Sequence, residues 1–464
     1  MEDKSRRSRV ARRSAPAKKL KENSKSLQKI QPKKKGSSRK PAGRKGEPRK
    51  IYSRNPLAAL LGRVGAIFAV ILLIWLIFFF EPPANYPERF GVRSMKLDAA
   101  AIEMDFYSNN YDGKLLPLDF LLNAAQGAVT AVEEDKTTIR FQDGDTVILT
   151  EGSRRMEING EKKKFKAPVM TVEGLTLIPG ELIQVLDPEG AAFEDGKARI
   201  SLGGSSPEGK FQEFTGNEGY LRLVNQTNTL PAAYAPDDLL EVNSLNSIMA
   251  YGTNTKLREE AARALARMYS ENGVKYIMSS GYRDYNTQTR LFNEKVQQYL
   301  SQGFSEERAR EEAGTIVALP GTSEHQSGLA VDLSIPGVVL TENFKNTEAG
   351  QWLAANSYRY GFVLRYTEAQ TAVTGIIYEP WHFRYIGYPH SEILVKDGIV
   401  FDTYMEDLRE VHSRFFEAED GKDYTIWLLP EALYPEKLQF KAGEGVGVST
   451  DNKESVVLTF PVSR

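Results

Sequence analysis

An apolar run of 17 residues, VGAIFAVILLIWLIFFF from Val64 to Phe80, carries no charge and no strongly polar side chain. With Pro56–Gly62 added upstream it is long enough to cross a bilayer, Arg63 snorkelling to the interface. The run predicts a transmembrane signal anchor over residues 56–80 of a chain of 464. A cleaved signal peptide would have a short leader and a small-residue cleavage site. Here the leader is long and the bulky FFFEPP follows.

Charge divides at the same point. Residues 1–63 carry 22 of the 60 Lys+Arg and 4 of the 61 Asp+Glu, leaving 38 against 57, so a tail of +18 precedes a body of −19. The positive-inside bias then places residues 1–55 in the cytoplasm and everything after Glu81 outside, as a single-pass protein of the cell membrane. The tail is rich in Lys, Arg, Ser, Pro and Gly without aliphatic periodicity, so it is expected to be disordered. It suits a topology-setting role or contact with anionic inner-leaflet lipid, and nucleic acid is not an expected partner. The chain has no cysteine, which excludes disulfides and thiolate metal sites and fits a bacterial envelope.

The length and a hydrophobic content of 41% call for two or three folded units. From 99 to 204 short alternating runs are separated by turn signals, Asp143-Gly144 and Asn159-Gly160 among them, which predicts a β-rich extracytoplasmic domain. A Gly/Ser seam at Gly203–Pro207 precedes a second domain, expected over 215–464 with strands closing it at the C-terminus. In LREEAARALARMYSENG, Leu257, Ala261, Ala264, Leu265 and Met268 recur at helical spacing before Gly273. VKYIMSSGYR reads as a buried strand, and Thr287–Glu312 as a charged helical stretch.

Two of the four histidines fall in segments with a carboxylate placed to converge on them, His325 before Asp332 and His382 after Glu379. In GLAVDLS, Leu329, Val331 and Leu333 alternate with Ala330, Asp332 and Ser334, so Asp332 faces away from the aliphatics. His325 sits in the loop just before. In EPWHFRYIG, Glu379 and His382 would face opposite ways along a regular strand, but Pro380 favours a bend that leaves Glu379 outside the strand proper. Two His and one Asp would leave the fourth position of zinc open, with Glu379 as base behind a water. The alternative is that these residues are structural, Asp332 pairing locally and His325 exposed. Arg283 is a candidate for a free carboxylate, or a structural ion pair. Trp381 reads as a pocket wall. Arg384 could stabilise an oxyanion or anchor Asp332, and His390 and His412 read as surface histidines.

SSGYRDYNTQ, PGTSEHQSGLAVDL and EPWHFRYIG, in this order, resemble the three motifs of the VanY-like D-alanyl-D-alanine carboxypeptidases, zinc peptidases of the hedgehog/DD-peptidase fold. The likeness runs from about Tyr220 to Asp407. It implies an α+β catalytic domain with an antiparallel sheet, Zn2+ held by His325, Asp332 and His382, and Glu379 as catalytic base. It also implies that Arg283, Gln288 and Ser323 hold the terminal carboxylate and peptide of a peptidoglycan stem. The expected reaction is removal of the terminal D-Ala; an L,D-carboxypeptidase, an endopeptidase or a non-catalytic wall-binding scaffold are the alternatives. Upstream, INGEKKKFKAPVMTVEGLTLIPGELIQVL loosely resembles a copper amine oxidase N-terminal-like domain, implying a wall-side module.

Overall fold

The computed structural model describes residues 90–462, apart from 109–114, 125–126, 134, 142–143, 173–174, 187–189, 215–218, 253, 339, 442, 444 and 454. The expected anchor is corrected here. Among the described residues no helix is long and apolar enough to cross a membrane. The run at 56–80, and the basic tail before it, lie outside the described residues. The longest described helix, Tyr285–Ser301, has 17 residues, spans about 26 Å and is amphipathic, with Gln288, Phe292 and Val296 inward. Among the described residues the fold class is α+β, a β-rich part followed by an α+β domain, with no helix that could cross a membrane.

The N-terminal part is built of hairpins. Asn159 (φ 53°) and Gly160 (φ 82°) turn the strand Arg155–Ile158 into Glu161–Lys164, because Asn tolerates and Gly favours the left-handed region that a tight hairpin needs. Asp195 (φ 50°) and Gly196 (φ 82°) do the same between Ala191–Glu194 and Lys197–Ser201. That second hairpin joins Ala101–Ser108 and Phe90–Leu97 in a six-stranded sheet.

Beyond Phe90–Leu97 the sheet continues with a strand from the other end of the chain and is edged by Gln212–Glu213. Lys437–Phe440 pairs in parallel with Ser94–Leu97. The strands that close the second domain therefore belong equally to the N-terminal part. A four-stranded sheet over 413–462 lies between the two cores, and period-2 alternation buries both of its faces. Trp427, Leu429, Val456, Leu458 and Phe460 enter the N-terminal core. Ile426, Leu428 and Val457 enter a cluster with Ile393, Phe401, Tyr404 and Leu408. Trp427, 2% exposed, stacks on Phe120 with ring centroids 5.0 Å apart. Trp427→Ala is expected to cost about 3–5 kcal/mol, read as a lowered midpoint in denaturant unfolding.

The central sheet of the second domain is antiparallel, in the order Ile277–Ser280, Ala330–Ser334, His382–Tyr385, Phe362–Leu364. The helix Glu259–Asn272 covers one face with Ala261, Ala264, Leu265 and Met268, which join Val331, Leu333 and Phe383 in one core. Glu259 and Glu260 complement its N-terminal dipole, and Gly273 (φ 75°) ends it in the left-handed region. The charged stretch after Arg283 is two helices rather than one. Asp284 caps Tyr285–Ser301 and Ser305 caps Glu306–Ile316, each side chain accepting a backbone N–H two residues into its helix. The hairpin they form has its own small core of Phe292, Val296, Ala309 and Ala313.

Candidate active site

The open face of the sheet Ile277–Ser280, Ala330–Ser334, His382–Tyr385, Phe362–Leu364 carries the polar residues. Because Val331 and Leu333 point into the core, Asp332 points out, and the register sets it directly opposite His382 on the neighbouring strand. His382 Nδ1 lies 3.0 Å from Asp332 Oδ1. Ser280 is opposite Asp332 on the other side, so the chain leaving that strand delivers Gly281 and Arg283 to the same place.

His325 reaches it from a 3-10 turn, Glu324–Ser327, just before the central strand. Its Nδ1 lies 2.7 Å from the Gly281 carbonyl. A carbonyl only accepts, so Nδ1 carries the proton and Nε2 is left as the free donor atom. A Cβ at Gly281 would sit 2.4 Å from the Lys256 carbonyl oxygen, which explains a glycine there. His325 Nε2 faces Asp332 Oδ2 at 3.3 Å, yet it is buried without a hydrogen-bond partner.

Ligand atoms of His325, Asp332 and His382 all lie within 4.8 Å of one another. Two imidazoles and one carboxylate suit zinc, and an orphaned, buried imidazole nitrogen is what a missing metal bond leaves behind. The donor set therefore fits the ion. Burial opposes a charged Asp332, but the imidazoles of His325 and His382 outweigh it and hold the carboxyl well below its usual range. Burial and Arg283 push His325 down to about 4. Burial also works against a charged His382, but its hydrogen bonds to Asp332 and Glu324 outweigh it and push it up to about 9.

Metal binding at neutral pH must then displace the His382 proton. We expect uptake of zinc at pH 7 to release on the order of one proton, measured by calorimetry in buffers of differing ionisation heat. Binding without proton release would contradict this protonation state.

Glu379 occupies the turn before the strand, as Pro380 suggests. Its N–H donates to the Tyr366 carbonyl, and its own carbonyl accepts from His382 N–H. Its Oε2 lies 3.8 Å from His382 Nδ1, beside the three ligand atoms rather than among them. Burial pushes the Glu379 carboxyl up to about 7.

Arg283, Gln288, Ser323, Trp381, Tyr366 and Glu379 line one cavity of about 160 Å³ with the His/Asp/His set. Arg283 Nη1 donates to Gln288 Oε1 at 3.1 Å, and Gln288 Nε2 donates to the Ala318 carbonyl at 2.7 Å. Gln288, 1% exposed, is thus occupied at both ends and holds the guanidinium in place. Arg283 Nε is buried and unpartnered, and Nη2 stands 3.9 Å from Asp332 Oδ2.

Two expectations are corrected. Arg384 neither approaches an oxyanion position nor anchors Asp332. It is fully buried, donating to Glu324 and to the Tyr220, Arg222 and Tyr385 carbonyls. His390 is no surface residue but 5% exposed, with Nδ1 2.6 Å from Tyr404 Oη and Nε2 2.9 Å from Thr459 Oγ1. The strand carrying Thr459 closes over it. Three residues carry no sequence signal of their own: Glu324, beside His382 Nε2 at 3.3 Å; Arg365, bonded to Glu324; and Tyr366, whose ring lies 4.9 Å from that of His382. Glu324 adjoins His325, the one hint available.

A buried cation that lines one small cavity together with an acid and a prospective metal set is the arrangement a carboxypeptidase needs, since the free chain end must be read beside the bond that is cut. Residues 254–388 match the family described as VanY, D-alanyl-D-alanine carboxypeptidase, and residues 96–187 match the copper amine oxidase N-terminal domain. A D-alanyl-D-alanine carboxypeptidase of Enterococcus faecalis is 34% identical over 268 residues, 54% of this chain and 93% of the relative. Among solved structures, VanYB in complex with D-alanine-D-alanine is 36% identical over 40% of this chain and 97% of its own, with a TM-score of 0.35. The vancomycin resistance D,D-pentapeptidase VanY in complex with Zn(II) is 35% identical over 40% and 99%, with a TM-score of 0.35. The chain belongs to the VanY D-alanyl-D-alanine carboxypeptidase family.

Proposed function

We propose that this protein is a zinc-dependent D,D-carboxypeptidase that removes the terminal D-Ala from peptidoglycan stem peptides on the outer side of the cytoplasmic membrane. The observation that carries the reading is Arg283, buried beside the His325, Asp332 and His382 set with an unpartnered Nε. A buried guanidinium with a free donor at a cavity wall suits an anion, and a terminal carboxylate matches its fork bidentately. The family membership and the E. faecalis relative support the same substrate.

His325 Nε2, an Asp332 oxygen and His382 Nδ1 would hold the ion. When bound, zinc supplies Lewis acidity, lowering the pKa of a water and polarising a carbonyl. Arg283, steadied by Gln288, takes the substrate carboxylate and fixes the distance from chain end to scissile bond. Glu379 accepts a proton from the attacking water and returns it to the leaving amine of D-Ala. Trp381 stands in the wall of the 160 Å³ cavity, whose size suits a small side chain such as that of alanine. Incubation with synthetic pentapeptide and tetrapeptide stems, read by mass spectrometry, tests the substrate. Loss of one D-Ala from the pentapeptide is expected; cleavage of the tetrapeptide alone would move the assignment to an L,D-carboxypeptidase.

A further inference from the structure

From Glu324, in the wall of the cavity, runs a buried chain of charges that the mechanism above does not use. Glu324, 1% exposed, receives Arg365 Nε at 2.8 Å and Arg384 Nη1 at 3.1 Å on one oxygen, and presents the other to His382 Nε2 at 3.3 Å. Arg365 Nη1 continues to Asp402 Oδ2 at 2.7 Å, and Asp402 Oδ1 accepts from Asn225 Nδ2 at 2.8 Å. Asn225 is itself fixed, its Oδ1 accepting from the N–H groups of Thr227 and Asn228. Two carboxylates and two guanidiniums, none more than 6% exposed, thus balance one another.

Burying four charges is costly, and apolar residues of similar volume would often serve stability as well. This network has one end that faces a prospective metal ligand. A metal-bound histidine needs its second nitrogen occupied by an acceptor, which sets both tautomer and ring orientation. His325 has the Gly281 carbonyl for this purpose. On the zinc reading given above, we propose that Glu324 is the positioning residue for His382: braced by Arg365 and Arg384, it accepts Nε2–H and turns Nδ1 toward the metal. Asp402 and Asn225 steady Arg365 from the far side, so that the loop at 225–228 is mechanically connected to the metal centre.

The full chain, wild type and as Glu324→Gln and Asp402→Asn, is loaded with Co2+ and Zn2+ and titrated against a competing chelator, with thermal melting of each metal-free form alongside. Glu324→Gln is expected to weaken zinc roughly 10- to 100-fold and to change the Co2+ d–d absorption. Asp402→Asn, which leaves Glu324 its Arg384 partner, is expected to give a smaller loss of the same kind. Variants that melt lower but keep the wild-type affinity and Co2+ spectrum would show a merely structural network and overturn the proposal. If Glu324→Gln does not fold, Asp402→Asn decides: weakened metal binding supports the proposal and unchanged binding overturns it. Wild-type protein that takes up neither metal would overturn the zinc reading as well, which separates the two failures.

Discussion

Glu379→Gln is expected to lower kcat for D-Ala release by roughly 10²- to 10⁴-fold while zinc stays bound. Gln keeps the size and the turn contacts, which are made by the backbone of Glu379 to Tyr366 and His382. It removes a carboxylate beside the ligand atoms that can take a proton from water and give it up again. The same residue sets the acid side of the pH profile. Burial pushes the carboxyl up to about 7 without metal, and a neighbouring dication favours the ionised form, lowering that value. Because the base form is the active one, kcat/KM should fall as pH drops through an apparent pKa below 7. The residual rate of Glu379→Gln should lack that limb. A variant within about tenfold of wild type at full zinc occupancy, against the range for general-base loss, would assign the proton transfer elsewhere.

Arg283→Lys carries the second large effect. Lysine keeps the charge but loses the fork and the hydrogen bond to Gln288. A charge-assisted bond of this kind contributes roughly 1.5–3 kcal/mol, so kcat/KM for the pentapeptide should fall about 10- to 150-fold. A C-terminally amidated stem gives the control, since it offers no carboxylate. On the amide, wild type and Arg283→Lys should be equally poor. A variant that loses as much on the amide as on the acid would show that Arg283 acts on the fold or the metal rather than on the chain end.

How far the sequence disclosed this depended on the range of each signal. Alternation in GLAVDLS is local, and it set Asp332 on the face away from Val331 and Leu333. Pro380 is local too, and it marked the bend that leaves Glu379 beside His382 instead of across the sheet from it. Pairing partners are not local. Nothing in Lys437–Phe440 says that it lies beside Ser94–Leu97, because a strand's alternation gives its faces and not its neighbour. Glu324 was illegible for a related reason: its meaning comes from Arg365 and Arg384, each on a different strand or strand end. Arg384 and His390 read as site or surface residues because their side chains are polar, and tertiary contacts with backbone carbonyls, Tyr404 and Thr459 buried both. A hydrophobic run such as Val64–Phe80 is the strongest local signal in the chain, but the described helices include none that could cross a bilayer.

The most direct test of the central claim is a metal titration of activity. The protein is stripped with a chelator and dialysed, then titrated with zinc while D-Ala release from a pentapeptide stem is followed. Activity should be absent at first, rise linearly, and plateau at one zinc per chain, with His325→Ala giving neither binding nor activity. Full hydrolysis by the stripped protein, or stoichiometric zinc uptake that survives loss of His325, would contradict the account.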